Sequence, residues 1–145
     1  MGVYTRYKKS PSGLRQIVEL IESAPPSRRQ KMIDVGMKED PEYTNKILRF
    51  VFNFEDLIQL PDSELAELLA GVPALWMAYA IHDQSQEVQA RWLALSSPQV
   101  FMEVKEVLAN PKVSPFQMSA GKVKMIAMAR SLEKKGYIKT KAIPH

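Results

Sequence analysis

The chain has 145 residues, no cysteine, 46% apolar and 25% charged residues, and a formal net charge of +4. That length suits one domain or two small modules with a real core, and the missing cysteines exclude a disulfide framework, a thiolate nucleophile and a Cys-type zinc site. Arg6, Lys8 and Lys9 are followed by no apolar run, and no stretch approaches the ~18 apolar residues of a membrane span, so a soluble, cytoplasmic protein without membrane insertion is expected.

Helix signals recur every dozen residues or so, and strand signals are almost absent. After a basic tail over residues 1–12, Leu14, Ile17, Val18 and Ile21 form the stripe of an amphipathic helix that Pro25-Pro26 ends. Ser27 and Gln30 have capping-box spacing and predict a second helix through Met32, Ile33 and Met37. Asp40-Pro41 predicts an N-cap and first-turn proline for a third, through Tyr43, Ile47 and Phe50. A short helix from Glu55 to Leu60 stops at Pro61, and Asp62 is read as the cap of the next, with Leu65, Leu68 and Leu69 inward and Gly71 as its stop.

Pro73 opens a helix apolar nearly all round, Leu75 to Ile81, which is expected at the centre of its module. Ser85 starts another through Val88, Trp92 and Leu95. Ser97-Pro98 and Ser114-Pro115 repeat the cap-then-proline device before Val100 to Leu108 and before the longest helix, which reaches about Lys135 and ends at Gly136. On that helix Met125, Ala129 and Leu132 have the spacing of a buried face.

The expected fold is therefore all-α, with about nine helices. A three-helix unit over 13–53 precedes a module of about six helices over 54–139, and residues 140–145 form a second tail. The first three helices have the spacing of an armadillo-type unit, which cannot bury its apolar face alone and so predicts a protein neighbour.

Catalytic constellations are missing. The histidines, His82 and His145, have no metal-ligand partner at helical or loop spacing, and no Gly-rich loop or nucleophile elbow occurs. A non-enzymatic protein with no metal and no cofactor is expected. Bases crowd the end of the chain: Lys122, Lys124, Arg130, Lys134, Lys135, Lys139 and Lys141 stand against Glu133 alone. They read either as the solvated end of a helix or as a patch for an anionic partner, with Lys122, Lys124, Lys134 and Lys135 as its centre. No aromatic residues interleave them to stack bases.

Between the modules runs Arg49-Phe50-Val51-Phe52-Asn53-Phe54-Glu55-Asp56-Leu57, preceded by Glu39-Asp40-Pro41-Glu42. With Phe50, Phe52, Phe54 and Leu57 it reads as an inter-module hinge or partner-stacking element. This junction resembles that of the C-terminal half of the flagellar motor switch family FliG, where an acid-Asp-Pro-Glu start leads to Met-Phe-x-Phe-Glu-Asp-Leu. Here Val51 stands for the methionine. Ile17 to Leu20, the Arg28 to Lys31 region and the Ile126 to Gly136 ending are similar to the family's flanking helices in the same order and spacing.

The resemblance implies an armadillo-like right-handed superhelix or helical bundle in the rotor of the bacterial flagellum, at the cytoplasmic face of the basal body. It also implies a ridge of alternating charges on one helix facing the membrane-bound stator. The family's lysine position falls on His82, its first arginine on Gln99, its paired aspartates on Glu106 and Val107, and its last arginine on Pro115, so most of that charge is replaced. The family's N-terminal domain and its Glu-His-Pro-Gln-Arg motif have no counterpart, and the start from Met1 to Arg6 favours a natural short protein over a fragment. The implied partners are other rotor or switch proteins, a second copy of the chain, or the stator. An adaptor outside the motor is the alternative, and nucleic-acid binding through the last helix is a third reading.

Overall fold

The computed structural model describes residues 2–144; Met1 and His145, and with them the second histidine, lie outside the described residues. Regular structure among the described residues is entirely helical, in ten elements: α1 (Val3–Lys9), α2 (Gly13–Ser23), α3 (Pro26–Glu39), α4 (Pro41–Phe50), α5 (Phe54–Ile58), α6 (Asp62–Gly71), α7 (Ala74–Ile81), α8 (Gln86–Ala94), α9 (Pro98–Leu108) and α10 (Pro115–Lys134). The chain divides into two compact units, residues 1–53 with 141–145 and residues 54–140.

The first unit holds four helices instead of three, because residues 3–9 form α1 and not a tail. Nothing in its Val-Tyr-Thr-Arg-Tyr-Lys-Lys sequence favours an isolated helix of seven residues; tertiary packing holds it. Tyr4 is buried in the unit's core and its hydroxyl donates to the Met32 carbonyl, while the Thr5 N–H, an orphan donor of the first turn, finds Glu39 Oε2 at 2.9 Å. The core joins Tyr4 to Ile17, Val18 and Ile21 of α2 and to Tyr43 and Ile47 of α4, with Val51 after it.

The other expected tail is packed too. Ile143 lies in the same core, Arg15 donates to its carbonyl at 3.4 Å, and the Lys141 ammonium reaches the Val51 carbonyl at 2.8 Å. The second helix departs most from its sequence reading. It begins at Pro26, so Ser27 lies inside it and makes no cap, and its only buried residue is Gly36. Met32 and Ile33 are half-buried, and Val35 and Met37 are exposed. Asp40 does cap α4, accepting the Tyr43 N–H at 3.1 Å.

The second unit is organised around α7, which packs against both α9 and α10. Met77, Ala78, Ala80 and Ile81 of α7 are fully buried, as the all-round apolar sequence implied, although Leu75 faces outward. The crossing with α10 is close: a Cβ on Gly121 would stand 2.8 Å from the Ala80 nitrogen and the Trp76 oxygen, so glycine is what lets the two backbones meet. Ser85, Ser97 and Ser114 all cap as read, and Ser114 forms a full capping box with Gln117. Gly136, at φ +85°, closes α10 with the Tyr137 N–H on the Leu132 carbonyl and its own N–H on the Glu133 carbonyl, a Schellman ending.

Asp62 is the first residue of α6 and not its cap. Its carboxylate accepts from Arg91 Nη2 at 2.7 Å, and the same guanidinium donates to the Ile58 and Leu60 carbonyls at 2.7 and 2.6 Å. One side chain thus satisfies the chain reversal between α5 and α6.

Candidate interaction site

The backbone that enters the aromatic junction is held by side chains of the first unit. Phe52 is fully buried, its N–H donates to the buried Glu22 carboxylate at 2.7 Å, and Arg29 donates to the Phe52 carbonyl and to Asn53 Oδ1 at 3.1 and 2.8 Å. With Lys141 on the Val51 carbonyl, three charged side chains fix the backbone from Val51 to Asn53 within the first unit. A buried carboxylate holding a backbone N–H is a charge-assisted bond, stronger than a neutral one. Phe50 is half-buried at the edge of the first core. Phe54 opens the second unit, half-buried, its ring centroid 5.7 Å from that of Trp92; Leu57 beside it is fully buried.

The positions matching the family's charges do not form one row. Gln99 and Glu106 lie on the exposed face of α9, and Glu103 falls between them. At 100° per residue, positions 99, 103 and 106 lie within about 60° of one another around the helix. Met102, 69% exposed, stands beside them. Val107 is half-buried and Pro115 is the exposed first residue of α10. His82 ends α7, and its Nε2 is 2.8 Å from the carbonyl of Asn110, just past the end of α9. The face that α9 presents is therefore acidic, with Glu103 and Glu106 as its carboxylates. Glu103 escaped the sequence reading although its spacing from Gln99 and Glu106 carried the signal.

The four lysines read as a basic patch are dispersed. Lys122 is held by Asp83, with Nζ 2.8 and 2.7 Å from its two oxygens, and sits 5.5 Å from the Phe54 ring centroid. Burial would raise the Asp83 pKa, but hydrogen bonds from Lys122 and Gln84 prevail and lower it. Lys124, two residues on and so about 160° around the helix, stacks over Trp76 at 4.4 Å. Lys134 and Lys135 end the helix, where the dipole favours them. Arg130 is buried and paired with Glu133 at 2.9 Å. Lys122, Lys124 and Arg130 thus have separate local partners. Among the described residues no group of His, Asp or Glu side chains could hold a metal ion, and no helix is long and apolar enough to cross a membrane.

A sequence model of the FliG C-terminal domain matches residues 37–139. The flagellar motor switch protein FliG of Thermotoga maritima is 24% identical over 140 residues, which cover 94% of this chain and 41% of that protein. FliG of Borreliella burgdorferi is 25% identical over 132 residues, covering 89% and 38%. The chain spans about two fifths of the length of these curated relatives. Among solved structures, FliG residues 86–343 from H. pylori superposes with a TM-score of 0.66 at 19% identity, over 95% of this chain and 66% of that one. Full-length FliG from Aquifex aeolicus gives 0.56 at 19%, over 90% and 41%. The fold is the all-α, armadillo-like fold of these proteins.

Proposed function

The chain belongs to the FliG C-terminal domain family, and from that premise we propose that it is a non-enzymatic component of a flagellar motor switch. It works by presenting helix faces to other proteins at the cytoplasmic side of the basal body. The observation that carries this reading is the exposed stripe on α9. Gln99, Glu103 and Glu106 share one face, and Glu106 makes no ion pair or hydrogen bond with any other described residue. Two carboxylates held on a capped helix are a preformed contact for a basic partner, the charge a stator loop would have to offer. The family's alternating signs are replaced here by a single sign, so the partner surface is proposed to be basic throughout.

Stacking on a neighbouring armadillo-type unit, from another rotor protein or a second copy, is the other contact we propose. Its support is the thin cover of α3, with Val35 and Met37 exposed, and of α2, with Leu20 exposed. Gln99, Val107 and Pro115, which leave three charge positions without charge, favour the second reading, an adaptor outside the motor.

A deletion strain carrying the Glu103→Lys/Glu106→Lys chain separates the two. The motor reading expects impaired swimming and slowed rotation at normal protein abundance. Motility equal to that restored by the unaltered chain would overturn it in favour of the adaptor.

A further inference from the structure

The chain's surplus positive charge resides in its first unit. Residues 1–53 with 141–145 carry eleven lysines and arginines against six acids, whereas residues 54–140 carry nine against ten. On this basic unit a groove of about 460 Å³ opens along α4 and the turn between α1 and α2. Pro11, Leu14 and Pro144 give it apolar walls, and Lys8, Lys46 and Arg49 stand at its rim.

Lys8 is engaged, 3.2 Å from Asp40 and 5.7 Å from the Tyr43 ring centroid. Lys46 and Arg49 are not: both are exposed, neither bonds to another described residue, and Glu42, the carboxylate among the lining residues, pairs with neither. Three residues apart on one helix, they are neighbouring like charges. Their aliphatic stems extend the apolar wall while their heads remain in water.

We propose that this groove docks an acidic segment of a partner protein, one that offers an aliphatic side chain flanked by carboxylates. The aliphatic group seats between Pro11, Leu14 and Pro144, and the carboxylates meet Lys46 and Arg49. A protein segment fits better than a nucleic acid because half of the wall is apolar and the lining ring, Tyr43, is buried and offers no face for a base to stack on. Free phosphate would leave the apolar half unused, and the N-terminus of α4, the helix pole that attracts anions, is already occupied by Asp40.

The probe is a fluorescein-labelled peptide of four Glu-Glu-Leu repeats, titrated into the full chain and followed by anisotropy, with backbone amide shifts mapping the contact. Comparison peptides replace Leu by Ser or Glu by Lys, and inorganic phosphate and a short DNA duplex serve as competitors. Binding is expected with shifts at Leu14, Lys46 and Arg49. Lys46→Glu/Arg49→Glu should weaken it by roughly tenfold, the serine peptide should bind comparably worse, and the Lys-Lys-Leu peptide should bind the reversed variant in preference to the original. Both substituted side chains are exposed, and far-UV circular dichroism checks that the variant folds. Four results would overturn the proposal: no binding at millimolar peptide, indifference to charge reversal, equal binding of the serine peptide, or equal displacement by phosphate or DNA.

Discussion

Replacing Gly121 by alanine should destabilise the second unit, although the same change in an exposed helix would stabilise it. The new Cβ would lie 2.8 Å from the Ala80 nitrogen, the Trp76 oxygen and the Tyr79 Cβ. Carbon contacts are comfortable at ~3.5–4.0 Å, so α10 and α7 would have to separate by most of an ångström. Two of the three atoms are backbone and cannot rotate away. Overpacking of this kind costs ~1–3 kcal/mol, and the better helix propensity of alanine returns ~1 kcal/mol; with the Cβ at 2.8 Å from backbone the upper part of that range applies, leaving a net loss approaching ~2 kcal/mol for Gly121→Ala and more for Gly121→Val. Gly71 is the internal control. A Cβ there meets only the Met128 Cε at 3.7 Å, its φ is not positive, and Gly71→Ala should be neutral or gain up to ~1 kcal/mol. The chain's two tryptophans, Trp76 and Trp92, both lie in the second unit, so urea unfolding followed by tryptophan fluorescence reports on that unit. A Gly121→Ala midpoint equal to the original, or raised like that of Gly71→Ala, would refute the claim that the two helices meet at backbone contact. The measurement bears on function because α7 also supports α9 and its exposed carboxylates.

Three further perturbations test the junction and the supports of the second unit. Phe52→Ala removes a fully buried ring and should cost ~3–5 kcal/mol, read by the thermal stability of the full chain; an unchanged transition would show that the ring contributes little to the fold. Arg91→Lys retains the charge but cannot reach the Ile58 and Leu60 carbonyls and the Asp62 carboxylate together, so a loss of ~1.5–3 kcal/mol is expected in the tryptophan-monitored transition, and full stability in the lysine variant would contradict the clamp. The Asp83 pKa is lower in the folded state than in the unfolded one, so its pairing with Lys122 contributes above pH ~4 and is lost as pH falls below that. Asp83→Asn should therefore flatten the acid limb of the stability profile, by under ~1 kcal/mol because the pair is partly exposed; an unchanged profile would remove that role.

The serine and aspartate caps were legible because their chemistry is local. A side chain three residues from the N–H it accepts leaves its signature in a few letters, as at Asp40, Ser85, Ser97 and Ser114. Ser27 and Asp62 failed for an equally local reason, since a proline just upstream had already set the helix start. What could not be read was long-range. The N-terminal helix is held by Tyr4 on Met32 and Thr5 on Glu39, partners about thirty residues away, and Ile143 joins a core formed more than ninety residues earlier. Nothing in the local sequence marks Glu22 as buried, and only the fold brings the Phe52 N–H to it.

Charge was the most misleading property of the sequence and the most instructive in the structure. Counted along the chain, the bases gather at the end; counted by what they touch, several of those residues are spoken for. Arg130 is neutralised by a neighbour inside the core, Lys122 by Asp83, and Lys124 lies over an indole. Lys141 belongs to the other unit, where it serves a backbone carbonyl. Lys46 and Arg49 at the groove, and Glu106 on α9, are among the charged side chains left without such duties. A charge already compensated inside its own fold has little to offer a partner, because any new contact must first break the old one. A charge held exposed on a rigid helix and unpaired loses only water on binding. The two surfaces proposed above, an acidic one on α9 and a basic one beside α4, carry such charges, and salt should weaken the partners of both.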